Sequence, residues 1–290
     1  MIADGRYRDL LSSVYANMPP FLNYEKTKDT VKYMYLHRKY RSFIADKVKL
    51  LTGGGDSNEN VIWWLWLQGE DNAPEICKAC LSSLRRWHPE KKIIILDKDN
   101  LSDYVTFPDY IIDKYERGLI TNAHYSDLIR IQLLAEHGGT WIDSTILCTG
   151  RRTEYVMHLP LFVFKWDSPI FAASSWFMVS YSHDKIITLT RDLLFEYWKS
   201  YDYVMHYFLI HMFLKMAANA YPEEWEKVPY MSNQPPFHMG DARYDEYSAE
   251  RMSYFESISD FHKLTYKFKD GVRPSSSSIY QHVIDTYLQR

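Results

Sequence analysis

Two acidic residues and one arginine stand within a short segment that is otherwise largely apolar. Asp127 and Arg130 lie three positions apart in a stretch whose spacing predicts a helix over about residues 122–137, so they share one helix face. Charged groups among leucine and isoleucine need partners. The pair therefore has two interpretations: a local ion pair that serves folding, or a set of polar groups that faces a ligand.

The position of Asp143 favours the second interpretation. Gly138 and Gly139 can adopt the positive φ that ends the helix, and residues 140–147 predict a strand. Asp143 then lies near the carboxyl end of a buried strand, where open α/β sheets bind ligands. We expect two carboxylates and an arginine to converge on one crevice, although an aspartate at a strand end is about as often structural.

The elements around this segment alternate between strands and helices. Residues 61–67 and 92–97 are apolar runs typical of buried strands, and a helix from Pro74 to about Trp87 separates them. This order predicts a βαβ unit with parallel strands. The remaining predictions are helices at 108–118, 184–199 and 203–220, strands at 161–166 and 171–179, a closing segment at 261–267, and a last helix capped within 275–278.

The composition is that of a globular protein and excludes several classes. The net charge is −3, with 46% hydrophobic and 24% charged residues, which argues against a nucleic-acid partner bound by bulk positive charge. Neither a membrane-spanning apolar run nor a secretory signal pattern is found in the sequence. Three cysteines, an odd and sparse number, predict reduced thiols and a cytoplasmic protein.

The first part of the chain differs in amino-acid composition from the rest. We divide the chain into a helical extension with its linker, residues 1–57, and a main domain, residues 58–290. Between Lys26 and Lys49, eight basic residues accompany an apolar face, which predicts a basic amphipathic helix. Such a helix could contact the inner face of the plasma membrane, or it could pack on the main domain with its charges in solvent, which is the commoner case.

Several segments, taken in order, resemble a known family. The pattern SDLIR, seven residues and GGTWIDST resembles sugar transferases with a DXD-type motif, specifically the capsular polysaccharide synthesis branch. Initiating mannosyltransferases and the large clostridial glucosylating toxins are more distant relatives. Further support comes from IWWLWLQGEDNAPEICKACLSSLRRWHP, from the residues around Trp176 and from the closing HKLTYK, so the resemblance spans about residues 60–270.

The resemblance implies both a fold and an activity. The fold would be of the GT-A type: a Rossmann-like mixed α/β sheet flanked by helices, preceded here by the helical extension. The activity would be transfer of a sugar from a UDP- or GDP-linked donor, with retention of the anomeric configuration. The acceptor would be a polysaccharide or a lipid-linked glycan in capsule or surface polysaccharide synthesis.

Motif matching also implies roles for individual residues. Trp66, in the first strand, would lie near the nucleotide base, where an indole offers a stacking face, and Gln68 would belong to the same donor site. Asp127 and Arg130 would hold hydroxyls of the donor sugar. Asp143 would contact the ribose or a divalent ion.

The expected cofactor is Mn²⁺ or Mg²⁺, which would stabilise the charge that grows on the departing diphosphate. Thr145 stands where the second acid of the motif would be, so Asp143 and Thr145 are the candidate metal ligands and metal dependence stays open. His262 and Lys263 could close over the diphosphate and compensate for the missing acid. They could equally be a solvated basic strand end.

Other signals are weaker. Cys77 and Cys80 form a CxxC inside a predicted helix with no second pair to complete a zinc site, so we interpret them as structural. His206 and His211 lie in a largely apolar segment and are interpreted as core histidines, whereas His238 is a weak candidate for the site. Two rival functions stay open: a nucleotide-sugar hydrolase, and a non-catalytic glycan- or membrane-binding component that kept the fold.

Overall fold

The computed structural model describes residues 24–53, 55, 60–268 and 271–289. The helices are α1 (Tyr24–Leu50), α2 (Glu75–Trp87), α3 (Asp109–Glu116), α4 (Asn122–Glu136), α5 (Lys185–Ser200), α6 (Leu209–Ala220), α7 (Pro222–Glu226), α8 (His238–Asp241), α9 (Ala249–Ile258) and α10 (Ile279–Leu288). The strands are β1 (Val61–Leu65), β2 (Lys92–Leu96), β3 (Gly139–Ile142), β4 (Ile146–Cys148), β5 (Leu161–Lys165), β6 (Ala173–Ser180) and β7 (Phe261–Lys263). Short 3-10 helices cover Glu70–Asn72, Leu101–Asp103, Glu154–His158 and Pro235–Phe237.

A mixed sheet of five strands, in the order β2-β1-β3-β6-β5, forms the centre of the fold. Strands β2, β1 and β3 are parallel, whereas β6 runs antiparallel to both β3 and β5. This arrangement confirms the predicted α/β class, the parallel βαβ unit and the flanking helices. The carboxyl ends of β1 and β3 meet at the same edge of the sheet, so residues that follow these strands become neighbours.

Both faces of this sheet are buried, as the apolar runs predicted. Trp63 and Leu65 of β1 pack into a core shared with α4, α5 and α6. Ile62 and Trp64 point the other way, into a core shared with α2 and α10. The alternation follows from the strand period of two residues, and it explains why β1 contains almost no polar side chain.

The prediction of one strand over residues 140–147 was wrong. Strand β3 ends at Ile142, the backbone N–H of Ile146 donates to the carbonyl of Asp143 at 3.0 Å, and the chain turns out of the main sheet. Strand β4 then pairs antiparallel with β7 in a separate two-stranded sheet. Asp143 therefore lies in the turn that follows β3.

The helix predicted at 203–220 begins later, at Leu209. The Tyr197 hydroxyl donates to the carbonyl of Tyr203 at 2.7 Å and accepts from the backbone N–H of Met205 at 2.8 Å. The Tyr197 side chain thus forms hydrogen bonds with backbone groups that would pair with each other within a helix. This stretch therefore stays irregular.

Helix α1 packs on α5 and α6. Leu36 and Tyr40 are buried there, and the Lys39 ammonium donates to the Tyr201 hydroxyl at 2.8 Å. Met34, part of the predicted apolar face, is instead 63% exposed. The helix thus adopts the packed arrangement, and among the described residues no helix has the length and hydropathy needed to cross a bilayer. The predicted domain boundary at residue 57 lies outside the described residues.

Two glycines hold α4 close to the sheet. Gly138 and Gly139 have φ of +68° and +94°, as predicted for the turn that ends this helix. A Cβ on Gly138 would lie 2.7 Å from the backbone nitrogen of Ser182, and the carbonyl of Gly138 accepts from Trp63 Nε1 at 2.8 Å. This close turn sets α4 beside β3, which brings the polar groups of the two elements together.

Candidate active site

A cavity of about 1660 Å³ opens at the carboxyl edge of β1 and β3. The residues that follow these two strands line it, together with the first turns of α4 and the segment after β7. Of the predicted site residues, those lining it are Trp66, Gln68, Asp127, Arg130, Asp143, Thr145 and Lys263. The location is the one expected for ligands of an open α/β sheet.

The guanidinium of Arg130 links the two aspartates. Its Nη2 lies 3.5 Å from Asp127 Oδ1 and 3.2 Å from Asp143 Oδ1. Its other N–H groups point to Ser126 and Ser175, with Nη1 donating to the carbonyl and hydroxyl of Ser175 at 2.7 and 2.8 Å. The plane of the guanidinium also lies over the Trp141 ring, 5.0 Å from its centroid.

Four of the five N–H groups of Arg130 donate hydrogen bonds to Ser126 and Ser175, and Nη2 lies at ion-pair distance from both aspartates. The buried arginine therefore holds the two carboxylates near each other, and most of its donors are already used in this arrangement. Asp127 and Arg130 are neighbours at ion-pair distance, and they are so inside a cavity that also contains Asp143.

Asp127 is held loosely. Its carboxylate has two charged or chargeable neighbours among the described residues, Arg130 Nη2 at 3.5 Å and His124 Nδ1 at 3.6 Å. Neither distance is that of a strong hydrogen bond. With 13% of its side chain exposed in the cavity, Asp127 retains the capacity to accept hydrogen bonds from a ligand.

Asp143 is held tightly. Its Oδ1 accepts from Trp141 Nε1 at 2.9 Å, its Oδ2 accepts from the Lys263 ammonium at 2.7 Å, and its backbone N–H donates to the carbonyl of Trp176. Burial alone would raise the pKa of Asp143, but the charges of Arg130 and Lys263 outweigh it and hold the pKa below its ordinary value. The carboxylate is therefore ionised at neutral pH.

Lys263 reaches the cavity because β7 pairs with β4. The register places Lys263 opposite Ile146, and the backbone N–H of Leu264 donates to the carbonyl of Thr145 at 2.9 Å. The ammonium of Lys263 thereby lies between Asp143 Oδ2 and Thr145 Oγ1, at 2.7 and 2.9 Å. The interpretation of Lys263 as a solvated strand end does not describe this position.

His262 points away from the cavity, so the structure corrects its assignment to the donor site. Alternate residues of a strand face opposite sides, and the fully buried ring of His262 places Nε2 3.0 Å from Thr149 Oγ1. Burial lowers the pKa of His262 to about 4. A neutral buried ring on the far face of β7 cannot meet a diphosphate bound beside Lys263.

Trp66 and Gln68 border the cavity at the end of β1. The Trp66 and Tyr266 rings pack in a T-shaped arrangement with centroids 5.3 Å apart, and the buried Nε1 of Trp66 has no hydrogen-bond partner among the described residues. Gln68 is exposed at the rim. An aromatic face with an unused donor suits a flat polar ligand such as a nucleobase.

His211 was interpreted as a core histidine, yet it lines the cavity. Burial lowers its pKa to about 4, and its Nδ1 has no hydrogen-bond partner among the described residues. Trp166 packs against it edge to face, with centroids 5.8 Å apart. No local pattern in an apolar helix distinguishes a cavity histidine from a core histidine.

The other two histidines lie apart from the site. His206 pairs with Asp29 of α1, and His238 does not border the cavity.

The predicted divalent-ion site is a poor fit to the residues present. Both proposed ligands, Asp143 and Thr145, already accept hydrogen bonds from the Lys263 ammonium. An ion bound there would have to displace that ammonium or lie against its positive charge. Within the described part of the chain, no three histidine, cysteine or acidic ligand atoms of the cavity lie close enough together to hold a metal.

A group with metal-like spacing lies elsewhere, formed by His88, Glu90 and Glu154. Arg151 already pairs with both carboxylates, Nη2 lying 3.0 Å from Glu90 and 2.5 Å from Glu154. The arginine therefore supplies the positive charge that these acids need.

Cys77 and Cys80 are both buried in α2, and burial raises the pKa of the Cys77 thiol to about 12, in keeping with a structural role.

Comparison with known families decides the affiliation of this chain. Residues 20–283 match the model of a family described as capsular polysaccharide synthesis protein. The chain belongs to that family. The match extends over α1 as well as the main sheet, so the family relationship covers most of the fold described above.

Two further proteins are similar to this chain, one over a short segment and one at low sequence identity. The O-glycosyltransferase braB of Annulohypoxylon truncatum is 32% identical over 97 residues, which is 30% of this chain and 23% of that protein. The chain thus spans less than a quarter of that relative's length. The solved structure of the PaToxG glycosyltransferase matches 68% of this chain and 80% of its own, with a TM-score of 0.40 and 13% identity.

Proposed function

We propose that this protein is a glycosyltransferase that moves a sugar from a nucleotide sugar to a glycan hydroxyl in the synthesis of a surface polysaccharide. The observation that carries the proposal is the convergence of Asp127, Arg130, Asp143 and Lys263 in one cavity at the edge of the sheet. Membership of a capsular polysaccharide synthesis family supports it.

The donor is a UDP- or GDP-linked sugar, bound along the edge of β1 and β3. Trp66 presents an aromatic face for the base, and Gln68 at the rim offers amide hydrogen bonds. The Lys263 ammonium meets the diphosphate, and Asp127 accepts hydrogen bonds from hydroxyls of the sugar. Arg130 acts as a positioning residue that holds Asp127 and Asp143 in place.

The acceptor glycan occupies the part of the cavity lined by Trp166 and Phe208, whose rings lie edge to face with centroids 5.5 Å apart. Aromatic rings pack against the apolar faces of sugars, and the neighbouring His211 ring offers a neutral nitrogen to a hydroxyl. A cavity of about 1660 Å³ has room for both substrates.

In the reaction, the bond between the anomeric carbon and the diphosphate oxygen breaks, and the electron pair stays on that oxygen. A new bond forms between the anomeric carbon and the acceptor oxygen, whose proton passes to the departing nucleoside diphosphate. Fixed positive charge beside the diphosphate stabilises the negative charge as it develops. Retention of configuration and a GT-A type fold are the outcomes that the resemblance of SDLIR and GGTWIDST implies.

A thermal-shift panel of UDP- and GDP-sugars tests this proposal. A ligand at a hundred times its dissociation constant adds about 2.7 kcal/mol to the free energy of unfolding, so at least one nucleotide sugar is expected to raise Tm clearly. Product analysis with and without a glycan acceptor then separates transfer from hydrolysis. Binding of glycans without a response to any nucleotide sugar would contradict the proposal.

A further inference from the structure

We propose that the ammonium of Lys263 takes the place of the divalent ion in this site, so that nucleotide binding and sugar transfer proceed without a metal. The inference rests on the proposed function, since it concerns how the donor diphosphate is held. It assigns a specific residue to a task that the sequence pattern left open between a metal ion and fixed positive charge.

The position of the ammonium is the first argument. Lys263 Nζ donates to Asp143 Oδ2 at 2.7 Å and to Thr145 Oγ1 at 2.9 Å. These are the two atoms that a metal would use if it were bound by this motif. An ammonium offers three N–H donors, so one donor is left for a phosphate oxygen that enters the cavity.

The second argument is that the backbone fixes this arrangement. Strand β7 is locked to β4 by the pair of Ile146 with Lys263, and the N–H of Leu264 donates to the carbonyl of Thr145 at 2.9 Å. Lys263 and Thr145 are therefore neighbours through the sheet. A cation held this way needs little reorganisation when substrate binds.

The balance of charge is the third argument. Thr145 contributes no negative charge, so Asp143 is the one acid among the described residues that the Lys263 ammonium contacts, and the two neutralise each other. The other oxygen of Asp143 is occupied by Arg130 at 3.2 Å and Trp141 at 2.9 Å. A divalent ion would find no unoccupied carboxylate oxygen on Asp143 and would be repelled by two nearby cations.

Binding of UDP and GDP to the wild-type protein, measured by isothermal titration calorimetry, tests the inference. We expect the Kd of the better nucleotide to change by less than about twofold between a chelator buffer and a Mn²⁺ or Mg²⁺ buffer. Loss of binding in chelator, restored by either ion, would overturn the role of Lys263 and would leave the proposed function standing. Absence of binding by both nucleotides in every buffer would refute the proposed function and this inference together.

Variants of Lys263 provide the second measurement. Lys263→Ala is expected to weaken binding in chelator by about tenfold or more, the loss of a charge-assisted contact. Lys263→Arg, which keeps the charge, is expected to retain most of the affinity, and Lys227→Ala removes the same charge from the exposed α7 end as a matched control. Undiminished binding by Lys263→Ala would contradict the inference.

A double variant tests whether a metal ion can replace the Lys263 ammonium. Lys263→Ala combined with Thr145→Asp removes the ammonium and supplies a second acid beside Asp143. We expect its nucleotide affinity to be low in chelator and to rise with Mn²⁺, whereas Lys263→Ala alone gains much less. If the double variant folds, as judged by its circular dichroism, and shows no response to Mn²⁺, the equivalence of ammonium and metal at this position is refuted.

Discussion

An Asp127→Asn substitution keeps the size of the side chain and removes its charge, so it separates a role in binding from a role in folding. Among the described residues Asp127 has two ionic neighbours, at 3.5 and 3.6 Å, and Arg130 keeps its contacts with Asp143, Ser126 and Ser175 when Asp127 is neutral. Because the amide of the variant still accepts hydrogen bonds, we expect the free energy of unfolding to fall by about 1–3 kcal/mol, less than when a buried ion pair is broken outright.

A loss in turnover is expected beside this change in stability. A hydrogen bond from a sugar hydroxyl contributes about 1.5–3 kcal/mol when the acceptor is a carboxylate and about 0.5–1.5 kcal/mol when it is a neutral amide oxygen. The difference, about 1–1.5 kcal/mol, corresponds to a decrease in kcat/KM of about 5- to 12-fold for each such bond at full folding. Urea denaturation gives the stability, and initial rates of nucleoside diphosphate release in the presence of acceptor give the turnover.

Two other variants calibrate the result. Asp143→Asn removes a carboxylate that pairs with two cations, so it is expected to cost about 3–5 kcal/mol of stability. Asp113→Asn alters an exposed ion pair with Arg117 and is expected to change neither quantity. If Asp127→Asn destabilises the protein as much as Asp143→Asn while the folded fraction turns over normally, Asp127 serves folding and the reasoning fails.

Two further predictions concern stability. Because burial lowers the pKa of His262 from 6.5 to about 4, the unfolded chain binds the proton more readily between these values. The free energy of unfolding should therefore fall by up to about 3 kcal/mol as the pH drops through this window, and denaturation curves of His262→Gln should show a shallower dependence. Gly138→Ala should destabilise by about 1–3 kcal/mol because φ is +68° and the new Cβ would lie 2.7 Å from the backbone nitrogen of Ser182. Gly118→Ala, at φ +73° with open space around it, should cost less, and equal Tm losses for the two would refute the steric part of the explanation.

The main sheet could be predicted from sequence because its signals are local. The apolar run around Trp63 predicts a strand buried on both faces, and the glycines at 138 and 139 predict the turn that sets α4 beside β3. Spacing alone then brings Asp127 and Arg130 near Asp143. Each of these patterns, a hydrophobic period or a turn residue, lies within one short segment, so it can be recognised without knowing the rest of the fold.

Other parts of the site could not be predicted because they depend on distant contacts. The exit of the chain from the sheet at Asp143 follows from the pairing of β4 with β7, two strands far apart in the sequence, in which Ile146 lies opposite Lys263. The same pairing turns Lys263 into the cavity and His262 away from it, a distinction that two adjacent basic residues do not reveal. His211 reaches the cavity through the packing of α6.

The role of Arg130 illustrates a further limit of sequence reasoning. Its spacing from Asp127 predicts contact between the two, and its chemistry suits the hydroxyls of a sugar. The structure adds Ser175, from β6, whose carbonyl and hydroxyl both accept from Nη1. Because Ser126 and Ser175 accept from four of its five N–H groups, we propose that Arg130 positions the two carboxylates.

A crystal structure of the protein with an unhydrolysed UDP- or GDP-sugar analogue, grown in chelator, tests the central claim most directly. We expect the diphosphate to lie within hydrogen-bond distance of Lys263 Nζ, the base beside Trp66 and a sugar hydroxyl on Asp127. A nucleotide bound outside this cavity, or a diphosphate held away from Lys263 with Asp127 untouched, would contradict it.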